Sequence, residues 1–153
     1  MSALDHKIPP PLVFLIVAVS MWAATYVLPS SPVANPVRLA MIGLCGAVGL
    51  GFATTAFFAF GRAKTTIDPV HVDAASSLVT GGVYRVTRNP MYLALTSLLL
   101  GWAVYLSVPW TALGPAAFVL FITRFQIIPE EQALRAKFGA AYEDYAKRVR
   151  RWL

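Results

Sequence analysis

The sequence predicts an all-α fold: a polytopic integral membrane protein of four transmembrane helices, with a cytoplasmic loop and a C-terminal amphipathic helix. Three observations predict it. Only 13% of the 153 residues are charged, while 58% are hydrophobic; soluble domains carry roughly 25% charged residues. Four apolar segments, 12–28, 39–60, 91–108 and 110–128, contain one charged residue between them, Arg124, and each approaches the ~20 residues that cross a hydrocarbon core of ~30 Å. Of the 13 lysines and arginines, only Arg38 falls on the side opposite the long loop and the tail. By the positive-inside rule, both termini, the loop 61–89 and the tail 130–153 are then cytoplasmic, in a single membrane domain covering 1–153.

The elements follow in order. Met1 to Lys7 is polar and leads into Pro9-Pro10-Pro11, and the first span closes on Leu28-Pro29 rather than on a small-residue cleavage site, so it reads as a span and not a cleaved signal. Pro29, Pro32 and Pro36 break the short connection to the second span. In that span Gly43, Gly46 and Gly49 recur every third residue, the pattern of close helix packing. Asn89-Pro90 reads as a helix start, asparagine at the cap and proline at the first helical position. Val108-Pro109-Trp110 is a tight turn, and Pro115 is expected to kink the fourth span. Pro129 is expected to end that span and begin the tail helix. In the tail, Leu134, Phe138, Tyr142, Tyr145, Val149 and Trp152 recur at helical spacing, with a break at Gly139. Such a stripe lies on the membrane or folds over the loop as a lid.

Composition also excludes classes. The net charge of +6 belongs to a chain with no soluble basic module, so no nucleic-acid partner is expected. Cys45 is the one cysteine, deep in an apolar run, and His71 has no second histidine or cysteine near it, so no metal site is expected. Membrane lipids are the expected surroundings.

The densest polar run is Gly82-Val83-Tyr84-Arg85-Val86-Thr87-Arg88-Asn89-Pro90-Met91-Tyr92, at the start of the third span. Free N–H groups at a helix start, with Arg88 beside them, attract a carboxylate or phosphate. Glu130 and Glu131 stand at the end of the fourth span, where one carboxylate stabilises a helix N-terminus and the second is free for a ligand. An anion site at one span end and a carboxylate at the other suit a zwitterion. Arg124, an ionisable residue inside a span, is a functional candidate on that ground.

The ordered run Leu78-Val79-Thr80-Gly81-Gly82-Val83-Tyr84, then Arg88-Asn89-Pro90-Met91-Tyr92, a span pair, Glu130-Glu131, Phe138-Gly139, and Tyr142 with Tyr145 resembles the isoprenylcysteine carboxyl methyltransferase family, relatives of the phospholipid methyltransferases. The resemblance covers roughly 62–153. It implies a membrane methyltransferase that binds S-adenosyl-L-methionine without a Rossmann domain and releases S-adenosyl-L-homocysteine. It implies cofactor contacts from Ser76, Ser77, Leu78, Val79, Tyr84, Arg88, Asn89, Pro90, Met91 and Tyr92, with Glu130 and Glu131 from the other side. This chain departs from the eukaryotic pattern at Asn89 and Ser76-Ser77, where those members carry histidine and His-Thr. It departs again at Gln126, where they carry the arginine that meets the substrate carboxylate. Arg124 and Gln126 are therefore the substrate-positioning candidates, and no catalytic base is identified. The acceptor is a lipophilic or membrane-delivered small molecule: the carboxylate of an isoprenylcysteine-like compound, a thiol or a lipid amine. Methylation would take place at the cytoplasmic face of the inner membrane. A non-enzymatic four-helix transporter and a membrane reductase are the alternatives; no span carries the acid that a proton-coupled transporter uses.

Overall fold

A computed structural model describes residues 8–31, 34–63 and 77–153, and everything described is helical or turn, with no strand among these residues. Among the described residues six α-helices follow one another: α1 (Pro10–Ala24), α2 (Asn35–Ala63), α3 (Pro90–Leu106), α4 (Leu113–Ile122), α5 (Ile128–Phe138) and α6 (Ala140–Arg148). Short 3-10 turns at Gly82–Arg85 and Pro109–Ala112 introduce α3 and α4. Prolines begin α1 and α3, where the missing N–H removes no helical bond. α3 stops at Ser107, held in the left-handed region at φ 54°.

The helices run up and down. The start of α1 lies against the far end of the α4 region, because Gln126 Nε2 donates to the Ile8 carbonyl at 2.7 Å. The start of α2 lies against the end of α3: Arg38 donates to Ser107 Oγ at 3.3 Å, and the Ser31 N–H donates to the Ser107 carbonyl at 2.8 Å. Inside, Val13, Met21, Tyr92, Leu99, Phe118, Ile122 and Ile127 form the bundle core. Gly114 lets α1 and α4 touch: a Cβ there would collide with the Met21 sulfur. Gly49 does the same for α2 and α3, its missing Cβ lying 3.1 Å from the Ala94 carbonyl oxygen, whereas Gly43 and Gly46 face open space. Close packing therefore accounts for one glycine of the three. Outside, Leu15, Ile16, Val19, Leu39, Leu44, Leu50, Phe57, Phe58 and Leu120 stand exposed. Exposed apolar area of this extent is the surface of a lipid-facing bundle rather than of a water-facing one.

Among the described residues two helices are long and apolar enough to cross a membrane, 35–59 and 109–138; α1 and α3 are shorter apolar helices. The boundaries differ from the sequence expectation at both ends of the chain. α1 ends at Ala24 rather than at 28, unwinding through i−3 bonds from Thr25, Tyr26 and Val27. The larger correction concerns Pro129, which ends nothing: helix continues from Leu113 to Phe138. The ring at 129 would clash with the carbonyl four residues earlier in a regular α-helix. A π-turn over Thr123–Ile127 widens the helix just before it, and such turns absorb a proline without breaking the rod. Pro115, expected to kink that span, lies in the first turn of α4, where the backbone N–H groups have no partner within the α-helix. Gly139 does break the tail, at φ 51° and ψ −126°, a conformation open essentially to glycine alone.

Candidate functional site

The start of α3 and the last residues of the chain are bound together. Asn89 was expected to cap α3, but its side chain makes no cap bond. Its Nδ2 donates instead to the Arg151 carbonyl at 2.8 Å, and its backbone N–H donates to Thr87 Oγ1 at 3.1 Å. Thr87, fully buried, donates in turn to the same Arg151 carbonyl at 3.3 Å. The Arg88 N–H donates to the Arg150 carbonyl at 3.0 Å. The tail after α6 is thus pinned across 87–89 by main-chain acceptors, which leaves the first turn of α3 without a side-chain cap. Trp152 adds an anchor, its indole N–H donating to Thr123 Oγ1 at 3.2 Å.

Charge converges at the same place. Glu131, 4% exposed, accepts from Arg88 Nη1 at 2.9 Å and from Arg151 through two atoms, Nε at 3.0 Å and Nη2 at 2.7 Å. The fork-to-fork pair holds the Arg151 guanidinium above its ordinary pKa, chiefly through the hydrogen bonds to Glu131. Arg88 also donates to the Tyr142 hydroxyl at 3.0 Å. Its Nε is buried and has no partner among the described residues. Glu130, one residue from Glu131, accepts from the Tyr92 hydroxyl at 3.3 Å. Under this layer Tyr84, Tyr142, Tyr145 and Val149 form a second core with Ala56, and Leu78, Val79, Val83 and Leu134 pack around it. The Tyr145 hydroxyl donates to the Tyr84 carbonyl at 2.8 Å. Burial raises the phenol pKa of Tyr84, with the Glu130 charge adding to the effect, and burial likewise raises Tyr142 and Tyr145.

Of the residues singled out in the sequence, Tyr84, Arg88, Asn89, Pro90, Tyr92, Glu130 and Glu131 are gathered at this end of the bundle, with Leu78 and Val79 packed beneath. Ser77 is half-buried, and Met91 turns outward, 40% exposed. Ser76 and His71 lie outside the described residues. Arg124 is exposed, its guanidinium lying over the Phe125 ring at 5.4 Å, and is not brought to the cluster. Gln126 is buried beside Ile8. Sequence reasoning missed Thr87, Arg151 and the carbonyl of Arg150. Thr87 lies inside the polar run but has no spacing that marks it. Arg151 is one of several tail cations, and only the fold selects it. Glu131 is shared by two guanidiniums, whereas Glu130 accepts from the Tyr92 hydroxyl and Arg88 Nε has no partner among the described residues.

The phospholipid methyltransferase family model matches residues 37–141, more than half of the chain and the whole stretch from α2 into the tail. An uncharacterised protein of Haemophilus influenzae is 46% identical over 63 residues, 41% of this chain and 100% of that one. A probable protein-S-isoprenylcysteine O-methyltransferase of Oryza sativa subsp. indica is 38% identical over 92 residues, 58% of this chain and 47% of its own length. Protein-S-isoprenylcysteine O-methyltransferase B of Arabidopsis thaliana is 36% identical over 98 residues, 62% of this chain and 48% of its own length. The chain thus spans about half the length of these plant relatives. No solved structure gives a significant match. The polar run at the start of α3 and the paired glutamates that meet it both fall inside the matched stretch, and the chain belongs to the phospholipid methyltransferase family.

Proposed function

We propose that the protein transfers a methyl group from S-adenosyl-L-methionine to a lipophilic or membrane-delivered small molecule at the cytoplasmic face of the inner membrane, with four membrane-crossing helices and both termini in the cytoplasm. The observation that carries the reading is the unpartnered Arg88 Nε beside an uncapped α3 start, with Glu130 close by. A buried guanidinium N–H without an acceptor is unusual, and together with the helix start it suits a carboxylate. Glu130 suits the cationic or hydroxyl-bearing part of the same molecule. The two together match a zwitterionic cofactor, and the family supports S-adenosyl-L-methionine as that cofactor.

When bound, this cofactor supplies a methyl carbon already activated by a sulfonium centre. The protein's share is then positioning and exclusion of water. Arg88 is fixed by Glu131 and Tyr142 so that its Nε points free. Asn89, bonded to the tail, holds the first turn of α3 in register. Tyr92 orients Glu130. The pinned tail and the packed tyrosines keep solvent from this layer. α1 and α3, shorter than the other two helices, cross by drawing their flanking aromatic and basic residues into the interface.

Calorimetric titration of S-adenosyl-L-methionine into detergent-purified protein tests the reading. Wild type is expected to bind, with affinity lost on Arg88→Ala and on Glu130→Ala. Absence of binding in the wild type, or equal binding in all three, overturns it.

A further inference from the structure

A cavity of about 370 Å³ opens between the turn that precedes α3 and the end of α6, lined by Thr80, Gly81, Arg85, Tyr145, Arg148 and Val149. None of the residues gathered around Arg88 and Glu130 lines it. Tyr145 and Val149 are buried and form its floor, while Arg85 and Arg148 are exposed and form its rim. The Tyr145 hydroxyl is committed to the Tyr84 carbonyl, so the polar groups open to a ligand are two guanidiniums and the Thr80 hydroxyl. No carboxylate lines the cavity. The acids of α6 are engaged elsewhere, Glu143 with Arg135 at 2.8 Å and Asp144 with Lys147 at 3.2 Å. Arg148 Nε donates to the Asp144 carbonyl at 3.1 Å, which steadies the side chain and leaves its two terminal nitrogens for a ligand. Two cations at one cavity repel, and an anion between them relieves the repulsion. Guanidiniums in a fork match the oxygens of a phosphate.

The depth of the cavity selects a lipid phosphate over a soluble one. Tyr145 and Val149 share a buried cluster with Ala56 of α2, about two turns before that helix ends. The neighbours of Ala56, Phe57 and Phe58, are 62% and 65% exposed. On a lipid-facing bundle such side chains meet acyl chains or the interface where aromatic residues gather. Val86, beside Arg85, is exposed as well. The two arginines thus stand where hydrocarbon gives way to head groups, and a basic pocket at that level suits an anionic head group. We propose that this cavity docks an anionic phospholipid, its phosphate held by Arg85 and Arg148, at a site apart from the methyl-transfer centre. The lipid is bound there and not methylated.

The test titrates three probes into the full chain in detergent, without cofactor: dioctanoylphosphatidylglycerol, dioctanoylglycerol, which lacks the phosphate, and glycerol 3-phosphate, which lacks the chains. The first carries no amine, thiol or carboxylate to methylate. It is expected to bind at least about tenfold more tightly than either of the others, since each interfacial arginine contributes about fivefold and the chains add their own burial. Arg85→Gln and Arg148→Gln are each expected to lose about fivefold in lipid binding, with S-adenosyl-L-methionine affinity and the melting midpoint unchanged. Arg88→Ala is expected to leave lipid binding as it is. Equal binding of dioctanoylglycerol, equal binding of glycerol 3-phosphate, or full lipid binding in both glutamine variants overturns the proposal. A parallel loss of cofactor affinity in those variants also overturns it, because the cavity would then belong to the cofactor site. Should a variant not fold, the wild-type comparison of the three probes decides alone. A wild type that binds the lipid yet binds no S-adenosyl-L-methionine overturns the methyltransferase reading and leaves the lipid site standing.

Discussion

Glu131 is held by two guanidiniums at once, and its burial makes that sharing consequential. Glu131→Gln removes the negative charge from between Arg88 and Arg151 and leaves both cations short of a partner. A loss of about 3–5 kcal/mol is expected, the range for breaking a buried pair from one side, read as the shift of the thermal midpoint in detergent. The Arg135–Glu143 pair is nearly as short, at 2.8 Å, but about half-exposed on both sides. Glu143→Ala should therefore cost less than about 1 kcal/mol. The tyrosines give a pH prediction. Burial raises the phenol pKa values of Tyr84, Tyr142 and Tyr145 above their unfolded value of about 10. A raised folded pKa means that the unfolded state releases these protons first. The stability they contribute is whole below pH ~10 and drains away as pH climbs towards the folded values. Absorbance at 295 nm should show these three phenols ionising only together with a cooperative alkaline unfolding. Their independent titration near pH 10 in the folded protein would contradict the packing described.

At the scale of elements, two glycines and a π-turn set the geometry. Gly139 turns the chain between α5 and α6 through a backbone conformation that side chains resist, and Tyr142 and Tyr145 reach Arg88 and Tyr84 only because of that turn. Gly139→Ala should cost about 1–3 kcal/mol of strain, and it should lower cofactor affinity along with the melting midpoint because the misdirected α6 carries the tyrosines with it. Gly114→Val drives a side chain into Met21 and Val17 at the α1–α4 contact. About 1–3 kcal/mol is expected from overpacking, with cofactor affinity little changed, since this contact is far from the Arg88 cluster. The pair of variants separates a turn that builds the site from a contact that builds the bundle.

For the whole molecule, the two ends of the bundle are chemically different. One gathers Ile8, the 87–92 run, Gln126, Glu130, Glu131 and the tail; the other holds Ser31, Arg38 and Ser107. If the first end faces the cytoplasm, single cysteines at the exposed positions Ser31 and Lys147, in a Cys45→Ala background, should react oppositely with a membrane-impermeant maleimide. Ser31→Cys should label in right-side-out vesicles and Lys147→Cys in inside-out ones. Labelling of both from one side would overturn the proposed topology.

The helical class, the four apolar segments, the helix start at Pro90 and the break at Gly139 were legible in the sequence, because each depends on local chemistry: apolar length, a missing N–H, or a missing Cβ. The gathering of the 84–92 run with Glu130 was legible only through resemblance to a family, since no spacing in the chain states it. Three things were decided by the tertiary structure. Pro129 is carried inside a continuous helix because a π-turn precedes it, and a pattern of residue types does not reveal a change of helical pitch. Glu131 is spent on Arg88 and Arg151 while Glu130 is not, because that choice depends on which way two adjacent side chains leave one helix. Asn89 serves the tail instead of capping α3, because the Arg151 carbonyl arrives from more than sixty residues away to take its amide. Sequence fixes what each residue can offer locally; long-range packing decides which partner accepts it.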